Sequence, residues 1–153
     1  MQKKISIIFG GTRGIGKVIS KTLAKRGDLV ITASRKNLKK KSHLSIDLGL
    51  EKSKIKNCIS EYFISKNLKI DNIIFSQRYR GNDPKLDFEV SLNSTSTIIE
   101  LLKNKMTKDS SIVLISSIAI KTILDDQPLS YHLTRAAIYQ MTKYYAVTLG
   151  GKG

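Results

Sequence analysis

The sequence predicts one α/β domain, a parallel sheet covered by helices. Short apolar runs alternate with longer amphipathic segments, the order expected of βαβ units. A glycine-rich turn joins the first apolar run to the first amphipathic segment. A length of 153 residues is enough for one buried core and leaves no room for a second folded unit, so residues 1–153 are read as a single domain.

From the N-terminus, Lys4 to Phe9 reads as a buried strand. Gly14 to Arg26 follows as a helix with Ile15, Val18, Ile19 and Leu23 on one stripe, and Gly27 stands just past its end, where a left-handed C-cap favours glycine. Leu29 to Ala33 is a second strand and His43 to Ile46 a short third. Leu50 to Lys66 is helical, with Ile55, Ile59, Tyr62 and Phe63 as its apolar face. Asp71 to Ser76 is the fourth strand. A helix from Asp87 to about Lys105 carries Phe88, Leu92, Ile99, Leu102 and Met106, and a second stripe of Val90, Ile98 and Leu101 predicts that more than one face is covered. Ser111 to Ser117 is the fifth strand, and Ser130 to Leu149 the last helix, closed by Gly150 and Gly151. The pattern contains no internal repeat, low-complexity tract or linker.

Composition excludes several classes. Hydrophobic residues at 41% and charged residues at 25% describe a folded chain rather than a disordered one. No apolar run approaches the roughly 18 residues of a membrane span, and Ile5 to Phe9 is too short for a secretory signal. The single cysteine, Cys58, allows neither an internal disulfide nor an all-cysteine metal site, which points to a reducing, cytoplasmic compartment. The charge is less ordinary: 27 Lys and Arg against 12 Asp and Glu, a net +15 that raises nucleic acid or an anionic membrane as partners. The lysines are spread over almost every segment, however. Only Lys36 with Lys39 to Lys41 forms a cluster, and no helix concentrates arginine with aromatics. The excess is read as a solvated basic surface, with neither nucleic acid nor membrane as partner.

Chemistry concentrates first in Phe9-Gly10-Gly11-Thr12-Arg13-Gly14-Ile15-Gly16. Glycines at 10, 14 and 16 fall where the chain leaves a strand and opens a helix, and each removes a Cβ from the path of a pyrophosphate approaching the helix N-terminus. The spacing G-x-x-x-G-x-G resembles the short-chain dehydrogenase/reductase family, although the family usually begins the motif with threonine where this chain has Phe9. The resemblance runs the length of the chain. It implies a Rossmann-like doubly wound parallel sheet of strand order 3-2-1-4-5, and an NAD(P)-binding domain whose coenzyme lies on Gly10, Thr12, Arg13, Gly14, Ile15 and Gly16. An NAD site calls for a carboxylate about 20 residues on, at the end of the second strand. That strand ends Ala33-Ser34-Arg35 with no acid, and Arg35 with Arg13 offers two guanidinium groups suited to a 2′-phosphate. NADP(H) is therefore expected over NAD(H); two solvent-facing arginines are the plainer alternative. Asp47 resembles the family's aspartate beside the adenine, or is an ordinary strand-end residue.

By the same resemblance, Ser117 orients a substrate carbonyl, Tyr131 moves the proton, and Asn93 holds a relay water, unless Asn93 is simply a solvated residue. Tyrosine, with an ordinary pKa near 10, is a poor acid–base at neutral pH without a nearby cation, and position i+4 puts that cation one helical turn away. The family has lysine there and this chain has Arg135, which on the family pattern would also hold the nicotinamide ribose. The expected activity is NADP(H)-dependent hydride transfer between nicotinamide and a carbonyl or secondary alcohol; the alternative is a catalytically inactive dinucleotide-binding fragment or pseudoenzyme. Two further departures matter. The family's Asn-Asn-Ala-Gly after the fourth strand is replaced by Phe75-Ser76-Gln77-Arg78, and Arg78 and Arg80 are expected either to face an anionic substrate or cofactor phosphate or to lie in solvent. The sequence also ends before the family's last two strands, which predicts a domain incomplete at its C-terminus, or an edge covered by a partner. Relatives pair through the two helices read here at Asp87–Lys105 and Ser130–Leu149, so a homodimer or homotetramer is expected.

Overall fold

A computed structural model describes residues 3–64 and 68–152. In chain order the strands are β1 (Ile5–Phe9), β2 (Leu29–Ser34), β3 (His43–Ser45), β4 (Ile70–Phe75) and β5 (Met106–Leu114). The helices are α1 (Gly14–Lys25), α2 (Lys52–Ile59), α3 (Pro84–Phe88), α4 (Ser94–Leu102) and α5 (Leu129–Leu149). All strand pairs are parallel and the order is β3-β2-β1-β4-β5, as expected. Ile7, Ile8 and Phe9 of β1 and Ile73, Ile74 and Phe75 of β4 are buried, as a sheet covered on both faces requires. In the innermost pairing Phe9 lies opposite Phe75, and the two rings stack at 5.1 Å, 8° from parallel. Two departures from the family pattern are thus one packing unit. Polar groups at the sheet's start are satisfied in register: Asn72 donates to Ser6 at 2.8 Å and accepts from Ser111 at 3.1 Å.

Several boundaries differ from the sequence reading, each for a packing reason. The buried stripe of α1 is rotated from Ile15 and Val18, both 64% exposed, to Gly16 and the flanking Ile19, Ser20 and Leu23. Gly16 must face inward because α1 presses on the glycine turn, and Ser20 ties it there by donating to the carbonyls of Gly11 and Gly16. The second predicted helix continues past α2 in a π-turn over Ser60–Ile64, and Lys66 lies outside the described residues. The long helix predicted from Asp87 begins earlier, at Pro84, where the Asp83 carboxylate accepts from the amides of Lys85 and Leu86 and proline sits in the first turn. It breaks into α3, a π-turn over Glu89–Asn93, and α4. Met106 belongs to β5 rather than to this helix, pairing with Ile70 before a register shift; β5 ends at Leu114 and leaves Ser116 and Ser117 beyond it. Along β5, Met106, Ile112 and Leu114 line a groove of about 350 Å³ with Tyr145 and Leu149 of α5. Among the described residues no helix is long and apolar enough to cross a membrane.

Candidate functional site

The C-terminal ends of the parallel strands converge on the glycine turn. Gly10 has φ +77°, and a Cβ there would lie 2.7 Å from the amide nitrogen of Gln77, so glycine lets the turn touch the end of β4. A Cβ on Gly16 would collide with the Gly10 carbonyl oxygen. These two glycines serve backbone packing. Gly14 differs: its φ is +51° and a Cβ would meet nothing within 4 Å, so its missing side chain leaves the start of α1 open. Arg13, the N-cap, makes no side-chain cap, and no acid stands in the first turn. The first amides of α1 are therefore available to an anion, and Thr12, Arg13 and Ile15 flank them. The turn fits a dinucleotide pyrophosphate.

After β2 the chain is basic, Arg35 and Lys36 followed by Lys39 to Lys41, all exposed. Buried His43 fixes this loop: its ring bonds to Thr32 Oγ1 at 2.8 Å and to the Lys36 carbonyl at 2.6 Å. Asp47, past β3, accepts from the Gly49 amide at 3.0 Å and so caps its own turn.

The chemical end lies between β4, α3, the π-turn and α5. Tyr131 and Arg135 share one face of α5 and are both buried, at 8% and 3% exposure. The Arg135 guanidinium carbon stands 5.2 Å from the Tyr131 ring centre, and that of Arg78 lies over the same ring at 4.4 Å. Arg135 is held from behind. It donates to Ser91 Oγ at 2.9 Å and to the Ile115 carbonyl at 3.3 Å. Ser91 donates in turn to Asp87 at 2.9 Å, and the other oxygen of Asp87 accepts from Ser130 at 3.1 Å. Asp87 is 3% exposed, so a carboxylate, two hydroxyls and a guanidinium form one buried network. Burial lowers the Arg135 pKa from its ordinary value; Tyr131 and Asp87 oppose that and Arg78 adds to it. The buried Nε of Arg135 and Oε1 of Gln77 are left unpaired, while the Gln77 amide donates to Thr95 Oγ1 at 2.9 Å.

The other expected residues are placed less simply. Ser117 is adjacent to the site but accepts from the Ala119 amide at 3.2 Å, capping a 3₁₀ turn at Ile118–Ile120; it is Ser116 that donates to α5, at the Arg135 carbonyl. Asn93 is not brought to Tyr131. It is exposed, its amide donates to Glu89 at 2.9 Å, and it lines a separate groove with Gly49, Glu51 and Lys85. Asn93 stands two positions after Ser91, on roughly the opposite side of the helical turn, so the face that meets Arg135 does not also present Asn93. Lys143 rests on the Tyr139 ring, 4.7 Å from its centre. His132 accepts from the Leu124 amide at 3.0 Å and tethers the preceding loop. Asp87, Ser91 and Ser116 were missed from sequence; the only signal was the i, i+4 spacing of Asp87 and Ser91.

A family model described as enoyl-(acyl carrier protein) reductase matches residues 78–153. No curated protein matches the chain significantly. Among solved structures, a short-chain dehydrogenase family protein from Francisella tularensis superposes with a TM-score of 0.84 at 24% identity, over 99% of this chain and 66% of that one. The chain thus spans just under two-thirds of that relative. An oxidoreductase of the same class from Brucella ovis, in complex with a partially ordered NAD, gives 0.78 at 20% identity, covering 99% and 79%. A short-chain dehydrogenase from Leptospira borgpetersenii with bound NAD+ gives 0.79 at 23% identity, covering 97% and 68%.

Proposed function

From its fold throughout and the family match over residues 78–153, we propose that the chain is a member of the short-chain dehydrogenase/reductase family and an NADP(H)-dependent oxidoreductase acting on a carbonyl or secondary alcohol. The observation that supports this reading most is Tyr131 with a guanidinium against its ring, on the same strand-end side of the sheet as a glycine turn whose helix amides are uncapped. The nicotinamide supplies or accepts the hydride when bound. Tyr131 is the group that gives or takes the substrate oxygen's proton, and Arg135 sets a buried guanidinium against its ring. Ser117 orients the oxygen once it leaves its capping bond. Gly10, Gly14 and Gly16 shape the pyrophosphate turn. Arg35, on a loop with no carboxylate and pinned by His43, takes the 2′-phosphate. Exposed Leu133, Tyr139, Tyr144 and Val147 on α5 support assembly into a homodimer or homotetramer.

Calorimetry with NADPH and NADH tests the coenzyme, and NADPH oxidation against a panel of aldehydes and ketones tests the reaction. Turnover lost in Tyr131→Phe and tighter binding of NADPH are expected. Turnover unchanged in Tyr131→Phe refutes the catalytic assignment. NADPH bound without turnover favours a dinucleotide-binding relative that has lost catalysis.

A further inference from the structure

The two guanidinium groups on Tyr131 differ in how their charge is met. Arg135 is inside the protein, and Asp87 stands one hydroxyl away through Ser91. Arg78 is exposed, and its side chain donates to a neutral acceptor, Oε1 of Gln127. Among the described residues no carboxylate forms an ion pair with Arg78. Its position is fixed from both ends. Residue 77 abuts the glycine turn at Gly10, and from the next position the Arg78 side chain reaches over the tyrosine ring and to the loop before α5. It therefore lies against Tyr131 and the loop that leads into α5.

Resting on the function proposed above, we infer that Arg78 selects the substrate: a carbonyl compound, or its alcohol, carrying a carboxylate one or two carbons from the reacting carbon. A guanidinium presents its N–H groups as a planar fork that matches a carboxylate in two parallel hydrogen bonds, and Gln127 is a neutral partner that an anion displaces without breaking an ion pair. With the carboxylate held on Arg78, whose guanidinium already lies over the Tyr131 ring, the neighbouring carbonyl falls beside Tyr131. The charge balance at the site gives the same answer. Asp87 serves Arg135, and the second cation remains for the ligand.

The test uses the full chain and two probes, 2-oxobutanoate and its uncharged methyl ester, titrated by NMR chemical shifts with and without NADP+. The charged probe is expected to bind at least about tenfold tighter than the ester, a difference reduced by salt. Arg78→Gln should abolish the difference and Arg78→Lys retain part of it, with the thermal melt unchanged for both because the residue is exposed. Calorimetry should find the same NADPH affinity in Arg78→Gln as in the parent. Equal affinity for the two probes, or absence of binding by both, overturns the inference. So does a preference that survives Arg78→Gln, or an Arg78→Gln variant that loses NADPH affinity instead. Because the probes are also read without coenzyme, a protein that binds no NADP(H) refutes the proposed function while leaving this result separately legible.

Discussion

Removing the Asp87 carboxylate should be among the most damaging single changes outside the apolar core. In Asp87→Ala the hydroxyls of Ser91 and Ser130 lose their acceptor, and Arg135, 3% exposed, loses the nearest buried negative charge. Each buried hydroxyl left unpaired costs about 1–3 kcal/mol. An orphaned buried charge costs about 3–5 kcal/mol when its direct partner is removed. Asp87 acts through Ser91, and each serine can turn toward another acceptor, so the cost is set below the sum of these terms, at about 3–4 kcal/mol. For a chain of this size that lowers Tm by roughly 6–15 °C. Asp87→Asn keeps one carbonyl acceptor and the same volume and should cost about half as much. Urea unfolding with m values equal to the parent's is the measurement. The network also demands coupling: combined with Arg135→Leu, which removes the charge, Asp87→Ala should cost at least about 1 kcal/mol less than it does alone. An Asp87→Ala variant within about 1 kcal/mol of the parent, or a cycle showing no coupling, refutes the view that Asp87 and Arg135 are one unit.

Gly14→Ala should leave the fold in place at about 1–2 kcal/mol, the cost of a left-handed residue, because its methyl meets no neighbour; by standing before the α1 amides it should weaken NADPH at least tenfold in calorimetry. Gly16→Ala, by contrast, collides with the Gly10 carbonyl and should unfold in urea well before the parent. Arg35→Ala should weaken NADPH by about 10–100-fold, the loss of one charge-assisted pair of about 1.5–3 kcal/mol, and leave NADH unchanged within about twofold; equal losses for both coenzymes would remove Arg35 from the 2′-phosphate. Burial, reinforced by Glu100, pushes the Tyr145 phenol up to about 12 from an ordinary 10.0. The unfolded chain therefore gives up that proton first, and the contribution is complete below pH 10 and lost as pH climbs toward 12. Urea unfolding across that range should show the parent weakening more steeply than Tyr145→Phe.

What was legible in the sequence was whatever depends on local pattern. Ile7, Ile8 and Phe9 are buried because an unbroken apolar run suits a strand covered on both faces, and the glycine turn announces itself by spacing. Burial that depends on a distant partner was not legible. Ile15 and Val18 satisfy helical periodicity, yet the stripe facing the sheet is chosen by Gly16, whose absent side chain lets α1 reach the turn. The start of β5 moved from Ser111 to Met106 because pairing with Ile70 begins across a register slip that no local signal marks. Asn93 matched a motif position, but the helix face that meets Arg135 is set by Asp87 and Ser91.

The same division explains the departures from the family pattern. Taken singly, Phe9, Phe75 and Arg135 each weaken the resemblance; in three dimensions each comes with its complement. Phe9 and Phe75 are register partners, so replacing one polar residue by a ring at either position alone would strand it against a mismatched neighbour, whereas together they stack. A guanidinium is larger than an ammonium and cannot shed its charge, so burying one behind Tyr131 requires donors to be met and a carboxylate within reach. The Ile115 carbonyl, Ser91 and Asp87 supply these. One demand is left unmet, the unpaired Nε of Arg135.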